Sequence, residues 1–369
     1  MSERRESDAE NIRIREALPE DGAALMETIG RIDEETEFLG KPGEYRRWRE
    51  GIEERLAQMR AKRSGVYLLA HDGGEIIGFL GAFGSVLQAT RGVLYIAHVG
   101  LRRAWRGRGV GARLFVAVED WARAHGVWRL ELRVDEVNER GQALYRKRGF
   151  ITEGRIADAV FLDGEPHAHH WMAKALRPLD GPDWPSVDPA PGRIDPGQVT
   201  YRALRPEEAP LLCRWERRLL AEAPLFLKDP AEVIAEDAMA KALAEEQQPD
   251  RLALAALARG PDGEAVIAYG SIWKELGLRM QHDCFSLLSV LEAHWGVGVG
   301  RALWGRLERW ARDNGARRLS AIVLAHNARG LRFAEAQGFT VDIQSPRFAL
   351  KNGRVVGRVR LGKRLQGTP

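Results

Sequence analysis

A glycine-rich run, Arg106-Gly107-Arg108-Gly109-Val110-Gly111, has the residue types and the spacing of an anion-binding turn. Glycine lets backbone N–H groups face a ligand with no Cβ in the way. The apolar residues that follow recur at helical spacing as far as Trp121, and a helix N-terminus adds positive potential to such a turn. The two arginines of the run add charge and hydrogen-bond donors. The sequence therefore predicts a phosphate-binding turn between a strand over Leu94 to Leu101 and a long helix.

Three further residues have side chains that could transfer protons. Tyr145 falls on a predicted helix from Arg140 to Lys147, and its hydroxyl can protonate a leaving group. His98, on the strand before the run, can titrate near neutral pH, and Glu131 lies on the next predicted strand. His98 and Glu131 both alternate with apolar neighbours, so each could instead face solvent. A water chain or another residue therefore remains an alternative general base.

The block from Leu101 to Phe150 occurs twice, at a constant offset of 189 residues and without a gap. The corresponding pairs are Gly109 and Gly298, Gly111 and Gly300, Leu114 and Leu303, Trp121 and Trp310, Gly126 and Gly315, Asn138 and Asn327, and Gly149-Phe150 and Gly338-Phe339. Such a register predicts a duplicated domain, because the period is far too long for a solenoid repeat.

Each half shows the same order of predicted elements: a strand, helices, antiparallel strands, the glycine turn, a helix, a strand, a helix and final strands. This order predicts an α+β fold with a mixed, mostly antiparallel sheet flanked by helices. Six prolines between 177 and 198 indicate an extended linker. The predicted organisation is a disordered tail (1–11), a first domain (12–176), a proline-rich linker (177–198) and a second domain (199–369).

A charged stretch from Asp33 to Arg63 is predicted to be helical. Its acids are Glu34, Glu35, Glu37 and Glu44. They either form an exposed helix face or a negative rim that attracts an amine substrate.

The chain carries a net charge of +4 with a pI of about 9.1, and its arginines are scattered among many acids. A nucleic-acid partner is therefore not expected, because such proteins cluster their basic residues on one face. No apolar run reaches the length of a membrane span, and the polar start of the chain predicts a cytoplasmic protein. The sequence leaves the oligomeric state open.

Neither the cysteines nor the histidines predict a metal site. Cys213 and Cys284 have no metal-ligand spacing, and two cysteines make no disulfide framework. The cluster His167, His169 and His170 lacks cysteine or carboxylate partners at ligand spacing.

Two motifs together resemble the GNAT acyltransferase superfamily. The first is the glycine run that opens the helix, and the second is Asn138, Tyr145 and Gly149-Phe150 in the pattern N-x6-Y-x3-GF. The resemblance covers both halves, from residue 12 to the C-terminus apart from the linker. It implies two tandem GNAT-like domains.

The resemblance implies an acetyl-CoA-dependent N-acyltransferase whose acceptor is a primary amine of a small molecule or a peptide. It implies a pantetheine arm held by the backbone of Leu101 and Arg103 and by Asn138, with Tyr145 at the thioester sulfur. It implies a pyrophosphate site on the amides of Arg106, Gly107, Arg108, Gly109, Val110, Gly111 and Ala112.

The two copies are not equivalent. The second copy has Trp295 where the first has Arg106, Val297 where it has Arg108, and Ala334 where it has Tyr145. The loss of two cations and a hydroxyl predicts a catalytic first half and a degenerate second half, although the amides of the second loop keep weak CoA binding open. The alternatives are a non-catalytic acyl-CoA-binding sensor or scaffold and, from the basic pI alone, an RNA- or ribosome-associated modifier.

Overall fold

The computed structural model of the protein describes residues 12–39, 46, 49–85, 87–162, 164–186, 198–222, 225–246, 248–260, 263–275 and 280–365. These residues form two compact units. The first runs to Gly181 and includes Phe348–Leu350, and the second comprises Pro182–Arg347 and the residues from Lys351. The predicted boundaries at 176 and 199 stay predictions, and the predicted tail (1–11) and residues 187–197 of the predicted linker lie outside the described residues.

The first unit alternates strands and helices around one sheet. In chain order it contains β1 (Arg13–Glu16), α1 (Gly22–Asp33), α2 (Ile52–Lys62), β2 (Gly65–Asp72), β3 (Glu75–Gly84), β4 (Val93–Leu101), α3 (Val110–Ala124), β5 (Arg129–Asp135), α4 (Glu139–Lys147), β6 (Ile151–Leu162) and β7 (Glu165–Ala175). The strands lie in the order β1-β2-β3-β4-β5-β7-β6. All neighbours pair antiparallel except β4 and β5, which are parallel.

Helices pack on both faces of this sheet because its strands are apolar on both sides. Successive strand residues point to opposite faces. On β2, Leu68 belongs to a core with Leu114 and Val118 of α3, whereas Leu69 belongs to a core with Leu25 of α1 and Leu56 of α2. The predicted α+β fold, with a mixed and mostly antiparallel sheet flanked by helices, is confirmed.

The second unit repeats this plan. It contains β8 (Val199–Arg202), α5 (Ala209–Glu222), α6 (Glu236–Glu245), β9 (Arg251–Gly260), β10 (Gly263–Lys274), β11 (Asp283–Val290), α7 (Val299–Asp313), β12 (Arg318–Leu324), α8 (Ala328–Ala336), β13 (Thr340–Lys351) and β14 (Arg354–Arg364). The strand order is β13-β14-β12-β11-β10-β9-β8, and β11 and β12 are the parallel pair. The bounds of α7, β12 and α8 equal those of α3, β5 and α4 shifted by the 189-residue offset.

One segment differs from its prediction, and another has contacts that the sequence did not indicate. In the described part of the charged stretch, the α-helix that follows Asp33 occupies Ile52–Lys62, and Gly51 takes a left-handed φ of +68° directly before it. Glu44, within this stretch, lies outside the described residues. In the predicted linker, the carbonyl of Pro182 accepts the N–H of Val355 at 3.0 Å, and the N–H of Trp184 donates to the carbonyl of Val355 at 2.9 Å. This part of the linker is therefore held against β14.

The parallel strands β4 and β5 separate toward their C-terminal ends. Their pairing runs from Val93–Arg129 to Ile96–Leu132. Beyond it β4 stays paired with β3 through Leu101, and β5 stays paired with β7 through Asp135. The space between residues 97–101 and 133–135, called the β4–β5 gap below, therefore has strand edges on both sides. Such edges can pair with an extended ligand.

Candidate active site

The glycine run forms a turn that presents backbone amides at the start of α3. Gly107 and Gly109 have φ values of +82° and +81°, which side chains other than glycine rarely adopt. The N–H of Arg113 donates to the carbonyl of Gly109 at 3.1 Å. The backbone N–H groups before Arg113 therefore lie ahead of the hydrogen bonds within α3. A Cβ placed on Gly109 would meet no described atom within 4 Å. The predicted turn is therefore present, and it opens onto free space.

Helix α4 closes one side of this turn. Asn138 caps α4, because its Oδ1 accepts the N–H of Gly141 at 2.9 Å. A Cβ on Gly111 would lie 3.3 Å from Leu144 Cδ2, so a side chain there would push against α4. Arg140 Nη2 lies 3.4 Å from the position of a Cβ on Gly107. Sequence reasoning missed Arg140, although it recurs as Arg329 at the same offset.

Arg106 is bonded to the chain itself. Its Nε donates to the carbonyl of Leu101 at 3.0 Å, and its Nη1 donates to the carbonyl of Glu35 at 3.2 Å. In the second unit, Trp295 Nε1 donates to the carbonyl of Val290 at 2.8 Å, which is the same position in the repeat. Arg106 and Trp295 therefore share one structural contact, which explains the exchange of one for the other without the loss of a phosphate ligand.

Glu35 bonds the same segment as Arg106, and the two residues together are called the clamp below. Its carboxylate accepts the backbone N–H of Arg103, and it also accepts Arg102 Nε at 3.0 Å. Burial is the largest influence and raises its pKa, but the Arg103 N–H and the guanidinium groups of Arg102 and Arg106 outweigh it, so the pKa lies below its ordinary value. Glu35 therefore does not belong to an amine-attracting rim, whereas Glu34 is exposed.

Two groups that were predicted to hold pantetheine already have partners within the chain. The carbonyl of Leu101 accepts from Arg106, and the amide of Arg103 donates to Glu35. Arg108 is exposed, and its Cζ lies 4.9 Å from the ring centroid of Trp105. Of the two arginines in the run, Arg108 is thus the one whose guanidinium lies on the outside of the turn.

Tyr145 lies on α4 and packs against the core that α3 shares with the sheet. Its ring centroid is 5.3 Å from that of Phe115 and 6.2 Å from that of Phe150. Burial, with a smaller contribution from the hydroxyl of Tyr95, raises the pKa of Tyr145 to about 12. Tyr95 in turn accepts a hydrogen bond from Arg133 Nε at 3.0 Å. Tyr145 therefore keeps its proton at neutral pH, which suits a donor and excludes a base.

The structure separates the two candidate bases. Glu131 is buried and paired with Arg129, whose Nε lies 2.7 Å from Glu131 Oε1, so it does not face solvent. Its strand neighbour is Tyr95, within the paired part of β4 and β5. His98 lies beyond the last pair, at the gap, half-buried and edge-to-face with Phe83 at 6.3 Å between ring centroids.

The strand before the turn contains a β-bulge that the sequence did not indicate. Gly81 pairs with His98 and Ala82 pairs with Ile96, so Ala97 has no counterpart on β3. A bulge leaves its extra residue out of the ladder and re-aims the backbone. The equivalent pairing of β10 with β11 runs without a register shift from Ala268–Val290 to Lys274–Cys284.

The histidine cluster borders the end of β5. His167 Nδ1 lies 3.5 Å from Asp135 Oδ1, and His169 Nε2 lies 4.0 Å from Asp135 Oδ2. Among the described residues, no group of three or more His, Cys, Asp or Glu side chains is arranged to hold a metal ion. In the same part of the chain, no helix has the length and the apolar character needed to span a membrane.

Comparison with protein families gives one match, repeated in both halves. The family model described as acetyltransferase (GNAT) family matches residues 31–150 and again residues 213–339, which together make more than half of the chain. Both matched segments contain the glycine turn and the helix that follows it.

Two curated relatives are N-acetyltransferases by name. N-alpha-acetyltransferase RimI of Mycobacterium tuberculosis is 41% identical over 89 residues, which cover 24% of this chain and 53% of the relative, so the match spans about half of RimI. The uncharacterized N-acetyltransferase YhfO of Bacillus subtilis is 26% identical over 138 residues, covering 37% of this chain and 88% of the relative.

Solved structures similar to this chain include a GNAT-family acetyltransferase from Streptococcus pneumoniae, with 26% identity and a TM-score of 0.41 over 44% of this chain and 98% of that one. Another is yncA from Salmonella typhimurium, a putative acetyltransferase solved with its cofactor acetyl-CoA, with 21% identity and a TM-score of 0.41 over 47% of this chain and 97% of that one.

Proposed function

This chain belongs to the acetyltransferase (GNAT) family, and we propose that its first unit transfers an acetyl group from acetyl-CoA to a primary amine. The acceptor is a small molecule or a peptide; the RimI relative is by name an N-alpha-acetyltransferase. The proposal places the protein in the cytoplasm, in keeping with two free cysteines.

Acetyl-CoA, the acetyl donor, would contact the first unit at two places. A pyrophosphate would lie on the amides that precede the ladder of α3, where the helix dipole favours an anion. Arg108 and Arg140 would add positive charge near the turn. The extended pantetheine arm would enter the β4–β5 gap, whose strand edges offer backbone partners.

The reaction joins the amine nitrogen to the thioester carbonyl carbon and breaks the carbon–sulfur bond. A primary amine is mostly protonated near pH 7, so a base must first remove one proton. His98 lies at the gap and has the right ordinary pKa for this task, directly or through water. The departing thiolate needs a proton, which the hydroxyl of Tyr145 supplies, and the second proton that the nitrogen loses on forming the amide restores the tyrosine.

The bulge at Ala97 suits the negative charge that develops on the carbonyl oxygen. A backbone N–H released from a ladder can point into the gap, and preorganised N–H donors are a principal source of stabilisation in acyl transfer. Removing one such donor from an acyl-transfer site typically costs ~10²–10³ in kcat.

One difference carries the assignment to the first unit: Tyr145, which packs on α4 against Phe115, has a hydroxyl where the second unit has Ala334. The second unit also lacks a register shift between β10 and β11. Its equivalent cleft therefore lacks both the hydroxyl of that tyrosine and the re-aimed backbone group.

The test is Tyr145→Phe, with Tyr67→Phe as the matched control. Tyr67 is also buried, with a pKa raised to about 12 by burial, but it packs against Phe83 on the other face of β2 and β3. We expect Tyr145→Phe to lower kcat by ~100-fold or more without changing the affinity for CoA, because only the chemical step loses its acid. Unchanged turnover in Tyr145→Phe would remove the acid role.

Thioester cleavage in the presence of a broad panel of amines separates this function from that of a CoA-binding sensor. An enzyme releases the free thiol of coenzyme A when an amine is present, whereas a sensor binds acetyl-CoA and releases no thiol.

A further inference from the structure

Helix α5 of the second unit occupies the place that α1 occupies in the first. Helix α1 begins at residue 22 and α5 begins at residue 209, which is an offset of 187 residues. The same offset holds at the other end of the helices, because Glu222 accepts the backbone N–H of Glu292 at 3.1 Å, just as Glu35 accepts that of Arg103. The two helices can therefore be compared position by position.

Two positions that belong to the apolar core of the first unit carry polar side chains in the second. At the 187-residue offset, Glu216 stands where α1 has Ile29. Tyr269 stands where β3 has Phe79, since their partners on the next strand, residues 289 and 100, are related by the 189-residue offset. Ile29 is 5% exposed and Phe79 is 0% exposed. The fold therefore does not require a polar group at either position.

Glu216 and Tyr269 belong to a group of side chains between α5, β10 and the end of α6, called the α5 cluster below. The group is completed by Trp215, whose ring centroid lies 5.8 Å from that of Tyr269, and by Glu246, which accepts the hydroxyl of Tyr269. Glu216 Oε1 accepts Lys228 Nζ at 2.7 Å. Burial, followed by the carboxylates of Glu246 and Glu216, raises the pKa of Tyr269 above its ordinary value, so both carboxylates lie near this hydroxyl.

Two atoms of the α5 cluster are buried and have no hydrogen-bond partner among the described residues. They are Glu216 Oε2 and Trp215 Nε1. Trp215 is only 7% exposed, and its ring packs against Tyr269. An unpaired polar atom inside a protein lowers its stability, most of all when the atom is charged. An unpaired acceptor and an unpaired donor, at a place where the first unit accepts Ile29, therefore indicate a bound ligand.

The charge of the α5 cluster specifies the ligand as a cation. Among the described residues, Lys228 is the cation that bonds to its two carboxylates, Glu216 and Glu246. Burial raises the pKa of Glu246 above its ordinary value and outweighs the hydroxyl of Tyr269 and the charge of Arg251, which act in the opposite direction. A positive charge beside Glu246 and Glu216 would compensate for the burial of these carboxylates.

A cleft of about 530 Å³ leads to the α5 cluster. Ser289 lines this cleft and is the strand partner of Tyr269 in the pairing of β10 with β11. Side chains of directly paired residues lie on the same face of a sheet, with Cβ atoms roughly 4.5–5.5 Å apart. Tyr269 and Glu246 are themselves half-buried rather than sealed. A ligand that enters the cleft can therefore reach the cluster.

A guanidinium group matches the α5 cluster better than an ammonium group does. It is planar, so it can stack on the rings of Trp215 and Tyr269. Its N–H donors point in several directions, so one group can reach two carboxylates. A guanidinium is also more weakly hydrated than an ammonium, and less hydration has to be removed when it is buried.

We propose that the second unit binds a small guanidinium compound at the α5 cluster, with Glu216 and Glu246 as its anionic partners. A guanidinium keeps its proton at neutral pH, so the ligand is held without being acetylated. The inference goes beyond the proposed function, which concerns the first unit. The site has no counterpart there, because Ile29 and Phe79 fill the equivalent positions with apolar core.

The experiment titrates n-butylguanidinium into the whole protein by calorimetry, with n-butylurea as the neutral analogue and n-butylammonium as the compact cation. Glu216→Gln removes the charge with little change of shape, and Glu245→Gln is the matched control, because Glu245 is exposed on α6. Glu216→Ile installs the residue of the first unit and should fold, since Ile29 fills the equivalent position there. Circular dichroism checks the fold of each variant.

We expect one n-butylguanidinium site per chain in the wild type and no saturable binding of n-butylurea. Glu216→Gln should raise the Kd by ~10- to 150-fold, because a charge-assisted contact is lost, and Glu216→Ile should abolish binding. The Kd of Glu245→Gln should stay within about threefold of the wild type.

Three results would overturn the inference. The absence of saturable n-butylguanidinium binding would mean that water alone satisfies the buried atoms. An unchanged Kd in both Glu216 variants would place any binding elsewhere. An affinity for n-butylurea or n-butylammonium equal to that for n-butylguanidinium would reject the guanidinium as the recognised group.

Amine-dependent thioester cleavage, measured on the same wild-type protein, tests the proposed function independently. Binding of n-butylguanidinium without thioester cleavage would support the α5 cluster as a site and reject the enzyme. Thioester cleavage without such binding would support the enzyme and overturn the inference.

Discussion

The exchange of Arg106 for tryptophan tests whether this arginine is a structural clamp or a phosphate ligand. Sequence alone favours the ligand, because the residue is the first cation of a glycine-rich turn. The structure favours the clamp, because Arg106 Nε and Trp295 Nε1 donate to equivalent strand-end carbonyls at 3.0 and 2.8 Å. Arg106→Trp installs in the first unit the residue that the second unit uses, and Arg106→Ala removes the clamp.

The contacts of Arg106 set the expected magnitudes. Arg106→Ala removes hydrogen bonds to the carbonyls of Leu101 and Glu35 from a side chain that is one quarter exposed. At about 1 kcal/mol for each such bond, the free energy of unfolding falls by about 2 kcal/mol. Arg106→Trp restores the bond to Leu101 and should lose about 1 kcal/mol. The free energy of binding of coenzyme A should hardly change in Arg106→Trp, which corresponds to a Kd within about threefold of the wild type.

Denaturant unfolding measures the free energy of unfolding, and calorimetric titration measures the Kd for coenzyme A. The ligand hypothesis makes the opposite prediction, because loss of a charge-assisted phosphate contact costs roughly 1.5–3 kcal/mol, or a Kd raised by ~10- to 150-fold. A Kd raised more than tenfold in Arg106→Trp, with normal stability and with the same rise in Arg106→Ala, would refute the clamp. Trp295→Arg is the reciprocal control, and it should leave the fold intact.

Two further predictions follow from pKa shifts. Because the pKa of Tyr145 is raised to about 12, kcat should show no basic limb from this residue between pH 6 and about 10; a limb in that range that disappears in Tyr145→Phe would contradict the assignment. Glu119 is buried between Lys174 and Arg148; burial raises its pKa, but these two partners outweigh burial and lower it below 4.5. Glu119 therefore stabilises the folded protein at a pH above the pKa that it has in the unfolded chain. This stabilisation is lost as the pH falls through the lower pKa that it has in the folded protein. Glu119→Gln should lower the free energy of unfolding by about 3 kcal/mol at pH 7 and flatten its acid dependence, whereas exposed Asp120→Asn should do neither.

The features that sequence predicted well are those fixed by local periodicity and by the repeat. The glycine turn, α3 and the strands on either side follow from residue spacing, and the 189-residue offset carries them into the second unit. The prediction of a helix over the charged stretch was wrong because its acids suggest one continuous exposed helix, whereas a separate helix begins after Gly51. The role of Glu35 was also missed, because its partners Arg102 and Arg103 are distant in sequence and only the fold brings them together.

The bulge at Ala97 could not be predicted for a similar reason. It is a property of the register between β3 and β4, and alternation along β4 alone does not show which residue lacks a counterpart. The burial of Glu131 could not be predicted either. Alternation places a polar residue on one face of the sheet, but it does not show whether other residues pack on that face. Arg129 and the sheet around it bury that carboxylate.

Residues that the two copies share have structural partners in both. Asn138 and Asn327 each cap a helix through a glycine N–H, at 2.9 and 2.8 Å. The ion pair between Glu119 and Lys174, at 2.8 Å, recurs between Glu308 and Lys363 at 2.7 Å.

The pairs formed by buried Arg129 with Glu153 and by buried Arg318 with Asp342 recur at the same offset. The recurrence of these pairs therefore reports what the fold requires, and Asn138, a motif residue that first suggests ligand binding, also has a structural role as a helix cap.

Residues that differ between the copies carry the functional information. The hydroxyl of Tyr145 and the bulge at Ala97 mark the first unit, whereas Trp295 and Val297 mark the turn of the second. The fold requires none of these differences, because both units build the same sheet without them. The tyrosine hydroxyl on α4 can donate a proton, and the alanine at the equivalent position of α8 cannot. On the function proposed above, the first unit is therefore the one that these differences equip for turnover.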